Sequence, residues 1–106
     1  MAPGVTLHAP HLIDLEIAQV LRRYCMSNEI RAERAEEALA DLEILGIYRH
    51  SHDLLLPRVW QLRHNVTAYD AAYLALAEAL SAPLLTADRR LARAPGHWAT
   101  VEVLGV

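Results

Sequence analysis

The chain has 106 residues, 54% of them hydrophobic and 22% charged, against usual globular shares of about 45–50% and about 25%; this is apolar material for one core and a single domain. No run approaches the ~18 apolar residues that a membrane span requires, and a net charge of −3 excludes a global positive field that gathers nucleic acid, so any RNA binding has to be local. Cys25 is the only cysteine, which excludes a disulfide framework, and Met1-Ala2-Pro3-Gly4-Val5 lacks the basic and apolar regions of a signal peptide; both point to the cytoplasm, with Cys25 a reduced, buried thiol.

Thr6 to Ala9 reads as a short strand, and Pro10 stands where a helix can begin. Leu12, Ile13, Ile17, Val20, Leu21 and Tyr24 recur at helical spacing and predict a helix from about Pro10 to Cys25. A second is predicted from about Ala32 to Leu45, with Ala35, Ala38, Leu39 and Leu42 inward and Glu33, Arg34, Glu36 and Glu37 as a solvated face. Gly46 can end it, and Ile47 to His50 reads as a strand. A third helix starts after Asp53, tolerates Pro57 in its first turn and reaches about Arg63. Thr67-Ala68-Tyr69-Asp70 has the spacing of a capping box and opens a helix to Leu80 that is apolar nearly all round, hence buried. Leu84-Leu85-Thr86 reads as a buried strand, Arg89 to Arg93 as a helical turn, and Val101 to Leu104 as a last strand. Strands alternating with helices predict an α/β fold with a mainly parallel sheet flanked by helices.

Three carboxylates stand where this pattern favours something else. Glu16 lies about 40° around its helix from both Leu12 and Val20, inside the apolar arc, and is expected to be shielded from water. A shielded carboxylate needs an arginine, a proton or a cation, and the residues alone leave a salt bridge and a metal both open. Asp70 lies in the first turn of the most apolar helix, where capping with Thr67 explains it as simply as a ligand role does. Asp88 stands just beyond the strand ending at Thr86, where α/β sheets bind ligands and where a carboxylate also caps the next helical turn. If the three converge, their oxygens suit Mg²⁺ or Mn²⁺, and such an ion supports phosphodiester hydrolysis.

At these residues the sequence resembles the PIN-domain ribonucleases, and within them the VapC toxins of bacterial toxin–antitoxin pairs. Leu7-His8-Ala9-Pro10-His11-Leu12-Ile13-Asp14-Leu15-Glu16-Ile17 is similar to the strand and helix that present the family's glutamate. Asn65-Val66-Thr67-Ala68-Tyr69-Asp70-Ala71-Ala72-Tyr73 is similar to its mid-chain aspartate block, and Pro83-Leu84-Leu85-Thr86-Ala87-Asp88 to its Thr-x-Asp strand end. The resemblance runs from Leu7 to Val103. It implies an endoribonuclease in which Glu16, Asp70 and Asp88 are catalytic residues and ligands of Mg²⁺ or Mn²⁺, with Thr86 and Thr67 in support and a metal-activated water as nucleophile. It also implies an RNA substrate, a VapB-like antitoxin whose tail blocks the acidic groove, and a homodimer.

The family normally opens with a strand ending in a further aspartate, central in the strand order 3-2-1-4-5, whereas Met1 to Thr6 contain no acid. The chain therefore resembles a PIN domain entered at its second strand, with the usual first, central strand absent. That predicts direct closure of the sheet across the gap or completion by a second chain. It also keeps another reading in view: a catalytically impaired PIN remnant that binds an antitoxin or dimerises. Asp14 lies about 160° from Glu16 and is a poor substitute for the absent acid.

Arg89, Arg90 and Arg93 follow Asp88 closely; Arg89 and Arg90 are candidate RNA-phosphate contacts, and ion pairs with helix carboxylates explain them equally well. His8 and His11, and His50 and His52, are close in sequence, but no third ligand is indicated and polar surface positions account for both pairs. Trp60, Tyr69 and Tyr73 have core spacing and are expected to pack, while Trp98 beside Pro95-Gly96 is expected to be exposed.

Overall fold

Helical apolar spacing, interrupted by Gly, Pro and Asn turns, produces nine elements among residues 4–105, which are those described by this computed structural model. They are β1 (His8–Pro10), α1 (Ile13–Met26), α2 (Ala32–Ile44), β2 (Tyr48–His50), α3 (Leu56–Gln61), α4 (Ala68–Leu80), β3 (Leu84–Thr86), α5 (Arg89–Arg93) and β4 (Val101–Val103). The leader reading rests partly on Met1, Ala2 and Pro3, which lie outside the described residues. The chain divides into two compact units, the first ending at His50 and the second beginning at Ser51.

In the first unit β1 and β2 pair in parallel, with His8 opposite Tyr48 and Pro10 opposite His50. Pro10 thus closes a strand rather than opening a helix. Its missing N–H is no obstacle at the end of a strand, where His11 takes over the ladder by donating to the His50 carbonyl at 3.0 Å. Helix α1 packs on α2, and Asp14 in its first turn receives two 2.7 Å bonds from the Arg49 guanidinium of β2. That fork ties helix to strand and holds the Asp14 carboxyl below its ordinary pKa. Gly46, at φ +66°, takes the left-handed conformation that stops α2 before β2. Ala35 and Leu42 are the buried residues of α2, whereas Leu39, expected inward, is exposed; no residue of α1 is buried, and Cys25 is half-buried rather than enclosed. The apolar arc of α1 is only partly covered, with Val20 and Tyr24 exposed.

The second unit is built around α4. Thr67 caps it by accepting the Asp70 N–H at 3.2 Å, and residues from Ala71 to Glu78 are buried apart from the half-buried Tyr73, as the apolar sequence predicts. Leu74 and Ala71 pack with Leu62 and Leu91 to form the core, flanked by Val59, Val66, Leu84 and Val101. Full burial of a leucine such as Leu74 contributes about 1.5–3 kcal/mol. Strands β3 and β4 pair in parallel, Leu84 opposite Val101 and Thr86 opposite Val103. Among the described residues β1 pairs with β2 in the first unit and β3 with β4 in the second, so each unit carries a two-stranded parallel sheet of its own. Trp60 and Tyr69, expected to pack, are 68% and 66% exposed, and the Arg63 guanidinium lies over the Trp60 ring, 4.7 Å from its centroid. Trp98 is exposed as expected.

Among the described residues the one buried charged side chain is Glu78, only 3% exposed. Arg58 from α3 donates to both its oxygens at 2.7 and 3.0 Å, and the Trp98 N–H donates at 2.9 Å. Arg58 also donates to the Gly96 carbonyl at 2.9 Å and lies over the Trp98 ring, 4.4 Å from its centroid. Burial alone raises the Glu78 pKa, but the Arg58 and Trp98 bonds outweigh it, and the net value lies below the ordinary one. A depressed folded-state pKa means that the pair contributes stability above the unfolded value of about 4.3 and loses it as the pH falls through the lower folded value.

Removing one partner strands the other. Arg58→Met is expected to cost about 3–5 kcal/mol in urea unfolding at pH 7 by leaving a buried charge uncompensated, and Arg58→Met combined with Glu78→Leu is expected to cost less. The gap between wild type and Arg58→Met should narrow as the pH is lowered through the carboxylate range; a double variant as unstable as the single one would contradict this.

Candidate functional site

The capping bond from Thr67 fixes the first turn of α4 and with it the position of Asp70, which is half-buried. Its carboxylate makes no hydrogen bond or ion pair to another described residue, so the capping box is formed from the Thr67 side only. Asp88 is set by a second threonine. The Thr86 hydroxyl, at the end of β3, accepts the Asp88 N–H at 3.1 Å, and Asp88 in turn caps α5 by accepting the Arg90 N–H at 2.9 Å. The Arg90 side chain adds longer contacts of 3.3 and 3.5 Å. These bonds, the Arg90 side chain first, hold the Asp88 carboxyl below its ordinary pKa.

Both aspartates line one open cleft of about 710 Å³ within the second unit. Arg63, Arg90 and Arg93 stand on the same walls, so three guanidinium groups surround two carboxylates in a chain whose net charge is negative. Arg89 is exposed and does not line the cleft. Asn65, at its rim, packs directly on Gly96, which has φ +93° and whose position admits no Cβ without collision with the Asn65 amide.

Glu16 lies in α1 of the first unit and is exposed, contrary to the expectation of shielding. The arc it shares with Val20 and Tyr24 is itself open to water, at 37% and 45% exposure for those two residues, so sharing an apolar arc does not desolvate the glutamate. In neither unit do three or more His, Cys, Asp or Glu side chains among the described residues group closely enough to cage a metal. The second unit instead brings two carboxylates to one wall, one of them unengaged. That is the protein share a Mg²⁺ or Mn²⁺ site commonly has, with water and substrate phosphate filling the remaining positions, and the oxygen donors suit a hard ion. The residues present fit such an ion to this extent.

Arg63 and the Arg58–Glu78 pair are the residues the sequence reading missed. Glu78 had a signal, as an acid within a helix apolar on every face must be buried and partnered. Arg63 had none, since its place on the cleft wall depends on the turn after α3.

Comparison with known proteins gives a consistent assignment. A family model described as PIN domain matches residues 2–97. Ribonuclease VapC1 of Mycobacterium tuberculosis is 54% identical over 90 residues, which cover 84% of this chain and 68% of that protein. Ribonuclease VapC9 of the same species is 46% identical over 85 residues, covering 80% and 67%, and Ribonuclease VapC12 is 35% identical over 101 residues, covering 95% and 78%.

The Asp88 environment gives a direct expectation. In Arg90→Ala the ¹³C-detected carboxyl titration of Asp88 should move upward, toward the ordinary aspartate range, because the largest lowering contribution is gone. An unchanged midpoint would assign the depression to the backbone N–H alone.

Proposed function

The chain belongs to the PIN-domain family, among its VapC-type ribonucleases, and we propose that it hydrolyses RNA phosphodiester bonds with the help of Mg²⁺ or Mn²⁺ held by Asp70 and Asp88. The observation that carries this reading is the presence of both aspartates on the wall of one arginine-lined cleft. Glu16 is assigned the third acidic role by its place in the family-like block alone. A divalent ion bound at the carboxylates supplies acidity to a water and neutralises charge on the phosphate.

The chain's own residues prepare that chemistry. Thr67 and Thr86 fix the backbone of the two aspartates, so the carboxylates need little reorganisation. Arg63, Arg90 and Arg93 attract the RNA backbone locally. The side-chain contacts of Arg90 to Asp88 are long and exposed, so its guanidinium can exchange the carboxylate for a phosphate at little cost. Arg89, exposed next to it, is proposed as a further phosphate contact.

The proposed partners are RNA, a VapB-like antitoxin and a second copy of the chain. Exposed Leu54, Leu56 and Trp60 support a protein partner. No helix of the described residues is long and apolar enough to cross a membrane, and the cytoplasm is proposed as the compartment. A second reading is a catalytically impaired PIN module that binds an antitoxin or dimerises, and the exposed Leu54, Leu56 and Trp60 favour such a protein contact.

RNA cleavage should require Mg²⁺ or Mn²⁺, stop with a chelator, and fall on the order of a hundredfold or more in Asp70→Asn or Asp88→Asn, since losing a ligand should exceed the about 10–100-fold cost of losing an outer partner. Cleavage that persists in both variants would remove the assignment. Saturable Mn²⁺ binding without cleavage would replace the enzyme with the binding module.

A further inference from the structure

We propose that His8 and His50 form a separate metal site, a two-imidazole clip across β1 and β2 for a borderline transition cation of the Zn²⁺ class. The two histidines are far apart in sequence, and it is the fold that pairs them. In the parallel register His8 lies opposite Tyr48 and Pro10 opposite His50, so both imidazoles project from one face of the two-stranded sheet. His8 Nδ1 stands 2.8 Å from His50 Nε2, with ring centroids 5.1 Å apart. The Tyr48 ring stacks on His8 at 5.1 Å and 19°, and Thr6 Oγ1 lies 3.0 Å from His8 Nε2.

At 2.8 Å the two facing nitrogens share a hydrogen bond, with one ring donating and the other accepting. A tetrahedral ion about 2.0–2.1 Å from each nitrogen needs them about 3.3 Å apart, so the 2.8 Å contact has to open by about half an ångström. His8 is exposed and His50 half-buried, which leaves room for that rotation and for water in the remaining coordination positions. The protons balance without release. The bridging proton moves to the far nitrogen of its own ring, leaving His8 protonated at Nε2 and His50 at Nδ1, with both facing nitrogens free to coordinate. In that tautomer His8 Nε2–H donates to Thr6 Oγ1, the outer-partner arrangement that orients metal-bound histidines.

Ligand chemistry separates this site from the acidic cleft. Imidazole suits Zn²⁺, Cu²⁺ and Ni²⁺, whereas Mg²⁺ prefers oxygen and keeps its water. No third protein ligand among the described residues is grouped with the pair, so the ion should exchange readily and act as a clip between the strands.

The test is a Zn²⁺ titration of the full chain against a chromogenic chelator. One ion per chain should bind at this site, excess Mg²⁺ should not displace it, and Asp70→Asn with Asp88→Asn should leave it intact. His8→Gln and His50→Gln keep hydrogen-bonding capacity across the strands but offer no imidazole. Each should weaken binding beyond the about 10–100-fold expected for an outer partner, and Thr6→Val by about tenfold. In the wild type, the imidazole resonances of His8 and His50 should respond to Zn²⁺, which reads the site even if a variant fails to fold. Absence of saturable Zn²⁺ binding, binding that survives both glutamine variants, or His8 and His50 resonances that stay still would overturn the proposal.

Discussion

The second unit depends on one buried charge pair. Glu78 is buried on α4, the helix that supplies much of the second unit's core, and an acid there is tolerated only when it is well partnered. Arg58 and the Trp98 N–H partner it, and in doing so join α3, α4 and the segment at Gly96–Trp98. Gly96 in turn lies against the Asn65 side chain, and Asn65 lines the aspartate cleft. A core interaction thus reaches the candidate site through two contacts.

Asp70 and Asp88 each serve structure, and the proposed chemistry is asked of the same two residues. Asp88 caps α5, yet one oxygen carries only the longest Arg90 contact; Asp70 starts α4, yet its carboxylate is not consumed by the cap. The choice between cap and ligand is therefore not exclusive. Arg63, Arg90 and Arg93 line the same cleft as the two aspartates, so the proposed RNA contact needs local positive charge and not a positive net charge.

Much of this was legible in the sequence, and for identifiable reasons. The Thr67 cap, the buried α4 and the existence of the 84–86 strand rest on local patterns, capping spacing and apolarity, although that strand, expected to be buried, is half-buried at Leu84 and Thr86 and exposed at Leu85. Expectations that depended on what covers a surface fared worse. Glu16, Leu39, Trp60 and Tyr69 all occupy apolar-looking positions on faces that the described residues leave open to water. The histidines illustrate the same limit: sequence proximity suggested His8 with His11 and His50 with His52, whereas strand register brings His8 to His50.

The claim at the centre of this account is that Asp70 and Asp88 form one cation site. Backbone amide spectra recorded during addition of substoichiometric Mn²⁺ read this most directly, because the paramagnetic ion broadens only its neighbours. The account requires the signals of Asp70, Asp88 and the adjoining cleft residues His64 and Arg90 to vanish first. Broadening that begins instead at the solvated acids of α2, Glu33, Glu36 and Glu37, with the cleft signals untouched, would contradict it.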